Sequence, residues 1–176
     1  MKSAQEILLN GLAKYDTSVL LIGGMALPAF DVVRQTIDLD CLIAVDDESL
    51  LRTVLVEAGY NEIERSKNFV RYVSASIYHY DIDVLMVDQK TFDSMISCSS
   101  AFDMGHNTII NVPSISHMIM LKLHAIKNNK KRELKDLSDI VEILRNNVSE
   151  ISDAELETIC SRYGPEGVYK RIQEAV

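Results

Sequence analysis

Two aspartates inside an apolar run constrain what this chain can fold into. Asp38 and Asp40 stand in the segment TIDLDCLIAV, residues 36–45, whose β-branched and apolar content predicts a largely buried strand. Side chains two positions apart in a strand point to the same face, roughly 6.5 Å apart along the chain. The strand therefore directs two carboxylates at one place, where they repel each other unless a cation lies between them. Oxygen ligands on a rigid strand suit Mg²⁺.

An Asp-x-Asp pair alone is more often a solvated strand face than a metal site, but two further features favour the metal. The segment YHYDIDVLMV, residues 78–87, carries Asp81 and Asp83, again on one face and again in an apolar run. A third carboxylate from a neighbouring strand is what a site for two metal ions requires. Gly23 and Gly24 close the apolar run SVLLI and indicate a strand-to-helix turn, where backbone N–H groups can approach a phosphate.

The remaining patterns predict an α/β (α+β) fold with a mixed β-sheet core flanked by helices and a helical C-terminal segment. β-branched and aromatic runs predict strands over residues 18–22, 36–45, 69–76 and 77–87, the last two paired. Capping residues and apolar periodicity predict helices over residues 4–14, 25–30, 46–59, 114–127 and 132–146, after Ser152 and after Pro165. Because no linker separates the two halves, we expect a core over 1–112 and a helical segment over 113–176 that packs on the core and is not independent.

The composition narrows the setting and the partners. The formal net charge of −8 argues against a broad nucleic-acid surface and suits a protein partner better than RNA. The three cysteines lie far apart without a C-x-x-C spacing, which favours a reduced, cytoplasmic setting. No signal-peptide layout and no apolar run of membrane-spanning length is present in the sequence, so we expect no membrane association.

Three charged residues in the helical half have two interpretations each. Lys122 lies in an apolar helical stripe, with Met118, Ile119, Ala125 and Ile126 as its neighbours. It either snorkels at the edge of the core or provides a fixed positive charge for a nucleotide triphosphate. Asp136 and Asp139 share one helix face, and a surface salt-bridge network explains them as well as catalysis does.

The glycines and the aspartates resemble a known family. Gly23-Gly24, Asp38-x-Asp40 and Asp83 resemble the nucleotidyltransferase fold of the DNA polymerase β superfamily. The closer resemblance, over about residues 18–143, is to the AbiEii-like nucleotidyltransferase toxins of abortive-infection and type IV toxin–antitoxin systems. It rests on two groups of matching positions, which are Gly23, Gly24, Ala26, Leu27, Arg34, Thr36, Asp38 and Asp40, and then Lys122, Arg132, Asp136 and Asp139.

The resemblance implies transfer of a nucleoside monophosphate from an NTP, ATP among the candidates, to an acceptor hydroxyl. It implies two Mg²⁺ ions held by Asp38, Asp40 and Asp83, which are also the catalytic residues. The residues implied for nucleotide binding are Gly23, Gly24, Arg34, Thr36 and Lys122, with Arg132, Asp136 and Asp139 as further site residues.

The acceptor and the biological role stay open at the level of sequence. The acceptor is tRNA or another RNA, a protein or a small molecule, and the setting is a toxin–antitoxin or phage-defence system with a cognate antitoxin or protein partner. One alternative is a non-catalytic, antitoxin-like module of the same fold that binds a partner. The other is a small-molecule nucleotidyltransferase of the antibiotic-resistance kind. At 176 residues the chain is shorter than typical toxin members, which leaves the acceptor more open than the chemistry.

Overall fold

The chain forms two compact units in the computed structural model, which describes residues 3–15, 17–105 and 107–176. The first unit comprises Met1–Ala26 and Arg34–Pro113, and the second comprises Leu27–Val33 and Ser114–Val176. The second unit therefore takes a short segment from the half of the chain that the sequence assigns to the core. Whether the helical segment is independent stays a prediction.

The first unit is built on a seven-stranded mixed sheet with the strand order β3-β4-β5-β2-β1-β7-β6. The strands are β1 (Leu20–Ile22), β2 (Asp38–Ala44), β3 (Tyr60–Ser66), β4 (Phe69–Ser74), β5 (Asp81–Val87), β6 (Ser100–Asp103) and β7 (Ile109–Val112). Its helices are α1 (Ala4–Leu12), α2 (Glu48–Glu57) and α3 (Gln89–Ser97). Strand β2 lies parallel to β5 on one side and antiparallel to β1 on the other. This central place explains the apolar character of β2, which has protein on both of its faces over most of its length.

Helix α1 is capped by residues that the sequence shows, and it packs closely on α2. Ser3 and Glu6 form a reciprocal capping box at the start of α1. The two helices approach closely at Gly11, where a Cβ atom would lie 2.1 Å from Cγ1 of Val54. Only glycine fits at that crossing without a shift of α2.

The second unit is a helical cluster around its own apolar core. Its helices are α4 (Ile115–Asn128), α5 (Glu133–Asn146), α6 (Asp153–Tyr163) and α7 (Val168–Ala175). Its buried side chains come from all four helices and include Ile119, Leu123, Ile140, Leu156 and Ile172. The segment Leu27–Val33 joins this unit because Asn146 Nδ2 donates to the carbonyl of Asp31 at 2.6 Å and Asn147 Nδ2 to that of Phe30 at 3.0 Å.

The predicted fold class is confirmed, and the element list is corrected in several places. The predicted pairing of the two valine- and tyrosine-rich segments is the antiparallel β4–β5 pair, but β4 ends at Ser74 and β5 begins only at Asp81. The sequence interpretation did not identify β3, α3, β6 and β7. No helix in the described part of the chain combines the length and the apolar character needed to cross a bilayer.

Candidate active site

Three carboxylates meet on one face of the central sheet. Asp38 and Asp40 lie on β2, and Asp83 lies on the parallel neighbour β5 directly opposite Asp40. One carboxylate oxygen from each of the three residues lies within 4.8 Å of the others. Asp83 is 7% exposed, so water screens its charge only weakly. The structure thus brings together the three residues that the sequence predicts to bind metal.

The donor set of this cluster fits a hard divalent cation. All three side chains offer oxygen, which is the ligand type of Mg²⁺, and three carboxylates this close repel one another without a cation. Cys41 follows on β2, but burial, with the charges of Asp40 and Asp83 adding to it, raises the pKa of its thiol. The thiol therefore stays protonated at neutral pH and leaves the oxygen character of the cluster unchanged.

The glycine turn packs against this cluster with backbone only. Gly23 has a φ of +67°, a conformation that favours glycine, and a Cβ atom there would lie 2.0 Å from Oδ2 of Asp40. A Cβ atom on Gly24 would lie 2.8 Å from Oγ1 of Thr36 and 3.0 Å from Nη2 of Arg34. The turn leaves room for peptide groups where any side chain would collide.

Thr36 connects the turn to the aspartate strand. Its Oγ1 donates a hydrogen bond of 2.8 Å to Oδ1 of Asp38, which fixes the orientation of that carboxylate. Arg34 lies beside it, and its Nη1 donates to the carbonyl of Gln35 at 3.1 Å. Of the predicted nucleotide-binding residues, Gly23 and Thr36 therefore lie against the aspartates, and Arg34 lies beside Gly24.

Arg71 is part of this cluster and was missed by sequence reasoning. It lies on β4 directly opposite Asp83, and its Nε and Nη2 donate to the two carboxylate oxygens at 2.6 and 2.5 Å. The paired Asp83 raises the pKa of the guanidinium, which remains charged. The only sequence signal is one arginine between the buried residues Val70 and Tyr72, and that signal becomes informative only with the strand register in hand.

The predicted site residues of the second unit form a cluster of charges within that unit. Lys122 Nζ donates to Oδ2 of Asp139 at 2.6 Å and lies 3.7 Å from Oδ1 of Asp136. Arg132 Nε donates to Oδ2 of Asp136 at 2.8 Å. Two cations thus face two carboxylates.

The burial of this second cluster corrects two of the sequence alternatives. Asp136 is fully buried, Asp139 is 4% exposed and Lys122 is 5% exposed. A surface salt-bridge network does not describe these aspartates. Snorkelling does not describe Lys122, because its ammonium ends on buried carboxylates and not in water.

The mixed sheet, the glycine turn and the carboxylates on parallel neighbouring strands define a nucleotidyltransferase fold. Solved structures match the chain and agree with this fold. One of them is ANT(2″)-Ia in complex with adenylyl-2″-tobramycin, which has a TM-score of 0.67 and 12% identity over 89% of this chain and 95% of that chain. The family model for the nucleotidyl transferase AbiEii toxin of type IV toxin–antitoxin systems matches residues 7–175, and the chain belongs to this family.

Two other solved structures are similar at comparable length. The lincosamide antibiotic adenylyltransferase LnuA, bound to lincomycin, has a TM-score of 0.54 and 14% identity over 77% of this chain and 90% of that chain. An antigenic nucleotidyltransferase-like protein from Paracoccidioides brasiliensis has a TM-score of 0.53 and 14% identity over 98% and 94%. No protein with a curated description matches the sequence of the chain. At these identities the structures establish the shared fold.

Proposed function

We propose that this nucleotidyltransferase moves a nucleoside monophosphate from an NTP to an acceptor hydroxyl in a Mg²⁺-dependent reaction. The acceptor oxygen forms a bond to the α-phosphorus, the bond to the β,γ-pyrophosphate breaks, and pyrophosphate leaves. The observation that carries the proposal is the cluster of Asp38, Asp40 and Asp83, whose ligand oxygens lie within 4.8 Å of one another. Carboxylates in this arrangement hold divalent ions in the company of substrate phosphates.

The three aspartates have distinct roles in this proposal. Asp38 and Asp40 hold two Mg²⁺ ions, and the ions supply neutralisation of the phosphate charge. Asp83 completes the site and accepts the proton of the acceptor hydroxyl. Its place opposite Asp40 in the strand register supports this role, because it puts the two carboxylates on the same face of the sheet.

The glycine turn and its neighbours bind the nucleotide in this proposal. The missing side chains at Gly23 and Gly24 let backbone N–H groups approach the β- and γ-phosphates. Thr36 holds Asp38 in place through its hydrogen bond, and Arg34 adds positive charge beside the turn.

Lys122 and the residues around it are assigned to the nucleotide by the resemblance, and this assignment is a proposal. The hydrogen bond to Asp139 uses one of the three ammonium donors of Lys122. Asp136 and Asp139 hold the ammonium in one position, and Arg132 in turn holds Asp136. A cation fixed in this way is oriented before its ligand arrives, which reduces the entropy lost on binding.

The acceptor is a macromolecule in our first proposal, with RNA such as tRNA or a partner protein as the candidates, in a toxin–antitoxin or phage-defence setting with a cognate antitoxin. The family membership supports this setting. A small-molecule acceptor is the second candidate. It is favoured by the match in length and fold to ANT(2″)-Ia and LnuA, whose structures hold adenylyl-2″-tobramycin and lincomycin.

Two experiments test the proposal in sequence. Calorimetric titration of the folded protein with ATP, GTP, CTP and UTP in Mg²⁺ should show binding of at least one of them. Binding of none would contradict the proposal that the protein is an enzyme and would favour a non-catalytic, partner-binding module. Incubation with labelled NTPs and total cell extract should then place label in RNA, protein or small molecules. The Asp40→Asn variant is the negative control, because we expect it to keep the fold and to lack one ion ligand.

A further inference from the structure

Arg71 donates hydrogen bonds from two nitrogen atoms to Asp83, the third carboxylate of the proposed site. Its Nε lies 2.6 Å from Oδ1 of Asp83, and its Nη2 lies 2.5 Å from Oδ2. We propose, resting on the proposed function, that Arg71 is a positioning residue for Asp83. In this role it fixes the plane of the carboxylate and supplies the counter-charge that keeps the three aspartates together before a metal ion binds.

The strand register accounts for the positioning. Arg71 on β4 faces Asp83 on β5, and Asp83 faces Asp40 on β2, so the three side chains form one row across the sheet. Paired residues in a sheet point to the same face, which places the guanidinium beside the carboxylate cluster. A planar guanidinium that donates to both oxygens sets the orientation of a carboxylate, whereas an ammonium sets only its charge.

The charge of Arg71 matters because the cluster is otherwise entirely negative. Asp38, Asp40 and Asp83 carry three charges within a few ångströms, and Asp83 is almost completely buried. Arg71 offsets one of these charges, and it also opposes the entry of a divalent cation, since like charges repel at this range. Removal of the guanidinium should therefore strengthen ion binding through the lost repulsion, while the plane of the Asp83 carboxylate is no longer fixed toward the acceptor hydroxyl.

This double effect separates the proposal from a purely structural role. A cross-strand ion pair that only holds β4 on β5 would, when broken, lower the melting temperature and leave label transfer by the folded variant unchanged at saturating Mg²⁺. A positioning counter-charge predicts tighter ion binding and slower transfer in the same variant. The two roles therefore differ in the rate of transfer at saturating Mg²⁺, and the ion affinity tests the counter-charge.

Arg65 supplies a matched control on the neighbouring strand. Its Nε and Nη2 donate to the two carboxylate oxygens of Glu62 at 2.6 and 2.8 Å, which is a bidentate pair of the same kind. Neither Arg65 nor Glu62 belongs to the carboxylate cluster of the described residues. Arg65→Gln should leave ion affinity within twofold of the wild type.

The experiment is calorimetric titration of Mg²⁺, and of Mn²⁺ as a tighter probe, into the wild type and the variants without nucleotide. Arg71→Gln should bind the ion at least about fivefold more tightly, because removing one unit charge several ångströms from a divalent ion has this effect even at the dielectric constant of bulk water. It should also slow the transfer of label from NTP. Unchanged or weaker ion binding by folded Arg71→Gln would overturn the proposal.

Arg71→Lys keeps the positive charge and loses the bidentate hydrogen bonding to Asp83. This variant also tests the proposal if Arg71→Gln does not fold. Its ion affinity should stay within about twofold of the wild type while label transfer falls at saturating Mg²⁺. Wild-type transfer by this variant would overturn the positioning role. A wild type that binds neither ion contradicts the proposed metal site itself. That outcome differs from a failure of the Arg71 proposal alone, in which the wild type binds the ion and Arg71→Gln binds it no more tightly.

Discussion

Replacing Lys122 by methionine should destabilise the protein strongly, although methionine matches the length and the apolar setting of this position. The ammonium lies 2.6 Å from Oδ2 of Asp139 and 3.7 Å from Oδ1 of Asp136, and both carboxylates are at most 4% exposed. Removing one member of a buried ion pair costs about 3–5 kcal/mol, because the remaining charge stays in a poorly solvating interior. Arg132 still holds Asp136, so we expect a loss near the lower end, about 3 kcal/mol of unfolding free energy.

Urea denaturation followed by circular dichroism measures this loss. Lys170→Met is the control, since Lys170 is 81% exposed and pairs only loosely with Glu174 at 3.7 Å, and it should change the unfolding free energy by less than about 0.5 kcal/mol. The double variant Lys122→Met with Asp139→Leu removes the buried Lys122–Asp139 pair, leaves Asp136 paired with Arg132, and should recover stability to within about 1 kcal/mol of the wild type. A loss below about 1 kcal/mol in Lys122→Met alone would refute the reasoning, because the buried carboxylates would then not depend on the ammonium.

Three further perturbations test other parts of the structure. Asp40→Asn should abolish nucleotidyl transfer and leave the metal-free melting temperature equal or higher, because it removes repulsion between carboxylates; an unfolded variant would show a structural role instead. Gly23→Ala should lower both stability and Mg²⁺ affinity, since its Cβ would collide with Asp40, whereas Gly59→Ala should cost only the left-handed backbone strain of about 1–2 kcal/mol and leave ion binding intact. In the folded protein at pH 8, a thiol reagent should modify Cys98 alone of the three cysteines. The other two are buried, and burial raises the pKa of both their thiols. Rapid labelling of more than one thiol would contradict the described core.

The parts of the site that sequence reasoning reached are those with a local signature. Asp38 and Asp40 were placed on one face by the two-residue period of a strand. The same pattern in a second apolar run indicated Asp81 and Asp83, and the family resemblance selected Asp83. The structure brings all three together. The glycine turn was recognisable because its two glycines follow a buried strand at once.

The missed parts depend on contacts between distant positions. Arg71 reaches Asp83 only through the antiparallel register of β4 and β5, and no local pattern sets that register. Lys122 looked like a lone cation in an apolar stripe because its partner Asp139 lies 17 residues away on another helix. Strands β6 and β7 have four residues each, too few for the alternation of buried and exposed positions to stand out.

The segment Leu27–Val33 has a consequence for the order in which the protein is completed during synthesis. It belongs to the helical unit, and the carbonyl of Asp31 is bonded by Asn146, 115 residues later in the chain. At a translation rate of about 5–20 residues per second, this partner follows roughly 6–23 s after Asp31 itself. The stretch between the glycine turn and the aspartate strand can therefore form this hydrogen bond only after helix α5 has been synthesised. A fragment that begins at Ser114 would lack the segment Leu27–Val33, which belongs to the same unit.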